Sequence, residues 1–279
     1  MGDTAMADQT TRRESDYWEG MAAWGASRHQ ALWRAHSDAV NAALCRRWLR
    51  AGAIRRILKT DLFDEVSGEG LYTVLSEHAE RVHGIDYSPS AGWWARVQHP
   101  SLRATAADVR RLPFSSGVFD AIVSNSTLDH FDQRHAIVES LVELNRVLAP
   151  GGHLILTLDN LANPVVAVRN ALPFRFTNTL GLVPYHMGKT CGPRRAAQMV
   201  VQAGFRLLDL TAVMHCPRLL AVPVTHVLER HAGETARRRL LSWLMAFERC
   251  ERWPTRFRTG HFLALLARKA GDEPQPVSQ

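Results

Sequence analysis

The feature that most constrains this chain is a series of short apolar segments, each running into an acidic or amide residue, with helical patterns between them. Arg56-Ile57-Leu58-Lys59-Thr60 leads into Asp61, and Arg81 to Ile85 closes on Asp86. Leu102 to Ala106 leads to Asp108, Val118 to Ser124 leads to Asn125, and His153 to Leu158 is a fifth such run. Between them Leu71–His78, Ala91–Gln98 and His135–Leu148 read as helices; the last sets Ile137, Val138, Leu141, Leu144 and Leu148 on one face. Pro150-Gly151-Gly152 is expected to stop that helix. Strands alternating with helices imply a parallel sheet covered on both faces, because each crossover lays a helix against the sheet.

The flanks extend the pattern. From Asp16 to Arg50 apolar residues recur at three- and four-residue steps, predicting two helices divided near Gly20 and Gly25. They supply a cap in which Tyr17, Trp18, Trp24 and Trp33 can roof a pocket. Residues 161–190, with Pro164, Pro173 and Pro184, predict a long loop with a short helix. Pro193–Ala203 starts on a helix-compatible proline and ends at Gly204. Phe205–Val213 reads as a sixth strand, residues 217–252 as an arginine-rich helical insertion, and Gly260–Arg268 as a seventh strand. The expected organisation is a polar tail over 1–15, one domain over 16–270 and a second tail over 271–279. Within the domain, 16–50 forms the cap, 54–160 one half of the sheet and 161–270 the other.

Composition narrows the function classes. The 34 basic and 27 acidic residues give a net charge of +7. The arginines are spread along the chain without a nucleic-acid-binding motif, which argues against a nucleic-acid partner. The cysteines Cys45, Cys191, Cys216 and Cys250 have neither CxxC nor zinc-finger spacing, so buried thiols are expected and no metal. No run is long enough for a membrane span, and the first residues lack the apolar core of a secretory signal. A cytoplasmic location is the expectation.

Four local signatures then carry a resemblance. They are His83-Gly84-Ile85-Asp86-Tyr87-Ser88-Pro89, Ala107-Asp108-Val109-Arg110-Arg111-Leu112-Pro113-Phe114, the segment Phe119 to Phe131, and Arg146-Val147-Leu148-Ala149-Pro150-Gly151-Gly152. In this order and spacing the chain resembles the class I S-adenosylmethionine-dependent methyltransferases, particularly those acting on small molecules. The resemblance implies an α/β, Rossmann-like fold: a seven-stranded, mostly parallel sheet with helices on both faces, an N-terminal helical lid and a helical insertion before the last strand. It implies S-adenosylmethionine as cofactor, with Asp86 on the ribose hydroxyls, Tyr87 and Val109 against the adenine and Asp108 on its amino group. Thr60, Asp61, Asn125 and Ser126 would border the rest of the cofactor. One departure stands out. Such families carry early glycines after the first strand, whereas here Asp61-Leu62-Phe63-Asp64-Glu65-Val66-Ser67 precedes Gly68 and Gly70.

Methyl transfer needs alignment of donor and acceptor, and a base only where the acceptor must lose a proton. His130, on the loop beyond the fourth strand, and His186, in Pro184-Tyr185-His186-Met187, are the candidate catalytic residues. Trp18, Trp33, Asp129 and Tyr185 are the candidate acceptor contacts. The aromatic cap suggests a small hydrophobic or aromatic metabolite, and the resemblance implies O-methylation ahead of N- or C-methylation. The alternatives are a non-catalytic cofactor-binding or scaffold protein on the same fold, or an RNA or protein methyltransferase. The apolar stripe of 217–252 packs on the core, forms a homodimer face or walls the acceptor.

Overall fold

The computed structural model describes residues 17–23, 30–49, 54–172 and 188–270. The expected tails, Trp24, Gly25, Tyr185 and His186 lie outside them. Seven strands form one sheet: β1 Ile54–Lys59, β2 Ala79–Asp86, β3 Arg103–Ala106, β4 Phe119–Asn125, β5 Leu148–Asp159, β6 Phe205–Val213 and β7 Phe262–Lys269. Their spatial order is β3-β2-β1-β4-β5-β7-β6. Strands β1 to β5 pair in parallel, and β7 runs antiparallel to both its neighbours. The chain winds outward from β1 through β2 to β3, then returns to lay β4 on the other side of β1. That reversal opens a crevice at the carboxyl ends of β1 and β4, where open α/β sheets bind ligands.

Alternation along the strands builds two cores. On one face Leu58, Ile122, Leu154 and Leu156 meet Ile137, Leu141 and Leu144 of helix Arg134–Val147 and Met199 and Val200 of helix Pro193–Gln202. On the other, Ile57, Val82, Ala121, Val123 and Ile155 meet Leu44 and Trp48 of helix Ala31–Trp48 and Leu75 of helix Tyr72–Ser76. Ile57, Leu58, Ile122, Leu141 and Leu156 are fully buried. Each such side chain contributes about 1.5–3 kcal/mol through removal from water.

Two local expectations change. Helix Arg134–Val147 ends before the proline–glycine turn, and Pro150-Gly151-Gly152 lies inside β5. Gly151 takes a left-handed φ of 74° there, which lets the strand turn without breaking. The stretch after β1 is not all loop: Phe63–Ser67 is a short helix. The helical insertion consists of Arg218–His231 and Glu234–Ala246, followed by a 3-10 turn Phe247–Arg252. Residues 17–23 are helical, as expected for the cap. Among the described residues all four cysteines are free, Cys250 half-buried and the others buried. No helix there is long and apolar enough to cross a membrane.

Candidate active site

A cavity of about 1300 Å³ runs along the carboxyl ends of the strands. One half collects strand ends: Thr60 and Asp61 after β1, Asp86 and Tyr87 at β2, Asp108 and Val109 after β3, and Asn125 and Ser126 at β4. The eight residues expected to border the cofactor therefore share one wall. The other half is formed by Trp33, Pro164, Val165, Val168, Met214, Leu219, Val222 and Phe262, with Arg169, Arg218 and His261 among them.

The Asp86 carboxylate is held by the backbone. Its Oδ2 accepts from Leu62 N at 3.0 Å and its Oδ1 from Ser88 N at 2.8 Å. Burial raises its pKa above the ordinary carboxylate range, against the two amides and Lys59. Asp61 is raised further, by burial and by the nearby Asp86 and Asp64, with Lys59 opposing. A cation brought beside these groups would stabilise their ionised forms. This set of acceptors therefore fits a ligand with an ammonium, a sulfonium and sugar hydroxyls.

The glycine-poor loop is built on a buried ion pair. Lys59 Nζ lies 2.8 Å from Glu65 Oε2, with both side chains about 1% exposed. The same ammonium donates to the Asp61 carbonyl. Burial disfavours this charge, but Glu65, Asp64 and Asp61 outweigh it and raise the Lys59 pKa. Glu65 Oε1 accepts from Leu71 N at 2.9 Å, so both ends of the carboxylate are committed. Gly70 sits against it with φ 61°, and a Cβ there would come within 2.6 Å of Glu65 Oε1. Asp64 Oδ2 accepts from Asn125 Nδ2 at 3.0 Å, and Asn125 Oδ1 accepts from Thr157 Oγ1 at 2.7 Å, tying this loop to β4 and β5.

The candidate residues differ in what they already hold, and Asp129 is off the cavity lining. Arg110 pairs with the Asp108 carboxylate at 2.6 Å and also donates from Nε to Oδ1 at 3.0 Å. The Asp108 oxygens thus already hold a guanidinium two residues away. Asp129 does not line the cavity. It is fully buried, accepting from Ser126 Oγ at 3.1 Å and from Asp159 N at 2.8 Å. Its role is to brace the turn after β4, where Ser126 has a φ of 48°. His130 does line the cavity, and its ring meets Trp18 edge-on at 5.2 Å. Trp33 also lines the cavity, 6% exposed. The chain re-enters beside His130, where Lys189 N donates to Phe131 O at 2.6 Å.

The sequence reading missed two groups. Glu19, on the cap helix, accepts from Ser88 Oγ at 2.8 Å and from Ser90 N at 3.3 Å, latching the cap to the loop after β2. No local signal marks it, since its partners lie far along the chain. The second group is Asp159, Arg169, Arg218 and His261. Arg169 pairs with buried Asp159 at 2.5 Å, and Arg218 Nη1 lies 3.0 Å from His261 Nε2. These four residues come from separate segments, so no local pattern pointed to the group.

Residues 65–156 match the family model of a methyltransferase domain. The chain is 33% identical over 122 residues to EEF1A lysine methyltransferase 4 of Mus musculus, covering 38% of this chain and 47% of that one. It is 24% identical over 168 residues to a Mycolicibacterium smegmatis protein named "Probable S-adenosylmethionine-dependent methyltransferase", covering 60% of each. It thus spans roughly half the length of these relatives. A geranyl diphosphate C-methyltransferase from Streptomyces coelicolor A3(2) superposes with a TM-score of 0.56 at 12% identity, covering 83% of this chain and 77% of that one, which shows the shared fold.

Proposed function

We propose that this protein, whose residues 65–156 match a methyltransferase domain, uses S-adenosylmethionine to methylate a small, hydrophobic or aromatic acceptor, preferably at oxygen. The observation that carries this reading is the cavity itself. Its acidic half suits a cationic nucleoside, and its other half is mostly apolar, with Trp18 and Trp33 among the cavity lining.

Asp86 keeps part of its surface open and, beyond its two amide contacts, has lone pairs for the ribose hydroxyls. Tyr87 and Val109 offer flat and apolar surfaces to the adenine. Asp108 offers its carboxylate, already steered by Arg110, to the adenine amino group. Asp61 and Asp64 face the ammonium of the methionine end, with Thr60, Asn125 and Ser126 beside it. When bound, the cofactor supplies a methyl group activated by positive sulfur. The protein aligns the acceptor with it and excludes water. His130, at the turn after β4 and on the cavity lining, is the first candidate to take a proton from an acceptor hydroxyl, and His186 is the second. Trp18 and Trp33 would hold the acceptor body.

A protein side chain as acceptor is the second reading. The mouse relative favours it, as do Leu219, Leu220, Val224 and Val227, exposed on helix Arg218–His231. The experiment is calorimetric titration of wild type and Asp86→Ala with S-adenosylmethionine and S-adenosylhomocysteine. Micromolar binding that Asp86→Ala abolishes is the expected result. A folded wild type that binds neither refutes the methyltransferase reading and leaves a scaffold on this fold.

A further inference from the structure

The half of the cavity away from the acidic strand ends carries charge that a purely apolar acceptor would not use. Arg169, on helix Pro164–Ala171, and Arg218, the first residue of helix Arg218–His231, both line it. Their guanidiniums converge on one imidazole nitrogen. Arg218 Nη1 lies 3.0 Å from His261 Nε2, and Arg169 Nη1 lies 3.4 Å from the same atom. Burial, then Arg218 and Arg169, push the His261 pKa well below its ordinary value. The ring is therefore neutral, and its one acceptor nitrogen faces Arg218 at the shorter distance, with Arg169 and, at 3.6 Å, Asp159 Oδ1 close to the same atom. Beneath them Asp159 takes Arg169 Nη2 at 2.5 Å and is 1% exposed.

An arginine at the first turn of a helix sits at the positive end of the helix dipole, and this turn contains no acidic residue. Arg218 also lies over the Trp33 ring at 5.5 Å, which directs its guanidinium along the cavity wall. The surrounding lining of Val165, Val168, Leu219 and Val222 is apolar.

We propose that Arg169 and Arg218, steadied by His261 and Asp159, form the seat for an oxyanion of the acceptor, so that the substrate joins an apolar body to a carboxylate or phosphate. Planar guanidiniums bind either group through paired, charge-assisted hydrogen bonds. His261 and Asp159 are positioning residues here. The proposal rests on the methyltransferase reading for the meaning of the site, but not for its existence. The same cavity thus carries carboxylates at the strand ends and two guanidiniums elsewhere on its lining, a combination suited to a cationic donor and an anionic acceptor.

The test is calorimetric titration with 2-naphthoate, 2-naphthyl phosphate and the neutral 2-naphthamide, in the presence and absence of S-adenosylhomocysteine. Wild type, Arg218→Gln and Arg218→Lys are compared. At least one anion is expected to bind wild type about tenfold more tightly than the amide, since charge-assisted pairs are the strong ones. Arg218→Gln should lose that preference while binding the amide and S-adenosylhomocysteine as before, and Arg218→Lys should keep part of it. The result separates carboxylate from phosphate. Equal binding of amide and both anions by wild type, or a preference that survives Arg218→Gln, overturns the proposal. If Arg218→Gln does not fold, the wild-type comparison and Arg218→Lys decide. Absent S-adenosylhomocysteine binding with an intact anion preference would instead sink the methyltransferase reading alone.

Discussion

Gly70→Ala probes the device that replaces the missing glycines. Gly70 has φ 61°, and an alanine in this left-handed region costs about 1–2 kcal/mol. The added Cβ would also lie 2.6 Å from Glu65 Oε1 and 2.7 Å from its carboxyl carbon. Glu65 cannot yield freely, because Lys59 holds one oxygen at 2.8 Å and Leu71 N the other at 2.9 Å. Displacing it leaves Lys59 charged and buried with a weakened partner, and losing a buried pair costs roughly 3–5 kcal/mol. Partial relaxation should keep the total near 3–5 kcal/mol, a large part of the roughly 5–15 kcal/mol that holds a domain folded. The assay is urea unfolding followed by far-ultraviolet circular dichroism. The midpoint should fall with little change of slope, and S-adenosylhomocysteine binding should weaken with the loop. Gly92→Ala is the control. It lies inside helix Pro89–Gln98, and its Cβ would meet Ala104 at an ordinary 3.5 Å. It should be neutral or stabilise by up to about 1 kcal/mol. If Gly70→Ala costs less than about 1 kcal/mol, Glu65 is not pinned and the reasoning fails.

Asp38, whose Oδ2 accepts from Gly70 N at 3.1 Å, has its pKa raised to about 8 by burial and by the neighbouring Asp64 and Glu65. The folded state then holds a proton that the unfolded chain releases near pH 4, so this group makes stability fall as pH rises toward 8. The slope reaches at most about 1.4 kcal/mol per pH unit. His36, lowered to about 4 by burial, opposes it only below its unfolded pKa near 6.5. Asp38→Asn should therefore flatten the fall in melting temperature between pH 6.5 and 8, and an unchanged slope would rule Asp38 out as its source. Glu19→Ala removes the contacts to Ser88 and Ser90 and should weaken S-adenosylhomocysteine binding about three- to tenfold, roughly one to two lost hydrogen bonds, with a small change in melting temperature. Unchanged affinity would show that the cap does not latch the cofactor side.

The order of strands and helices was legible because it is written in near neighbours. Ile57 and Leu58 address opposite faces of the sheet, and Ile137, Leu141 and Leu144 share one helix face, whatever the rest of the chain does. The acids and amides closing β1 to β4 could be picked out for the same reason, and parallel winding then brings Asp61, Asp86, Asp108 and Asn125 to one edge. Boundaries slipped where a turn conformation outweighed residue type, as at Gly151, which bends a strand instead of ending a helix.

What each side chain does inside the site was decided only by the tertiary structure. Asp108 and Asp129 read alike as acids near strand ends, yet one faces the cavity holding Arg110 and the other is sealed beneath Ser126. The sequence showed that the first loop lacks early glycines; it did not show that Lys59 and Glu65 replace them with a buried ion pair. Arg169, Arg218 and His261 lie on three separate segments and meet only because the antiparallel β7 is inserted between β5 and β6. Hydrophobic periodicity is a local property that one segment carries alone. A polar contact between distant segments depends on which strands become neighbours, and in this protein the crossover connections determine that.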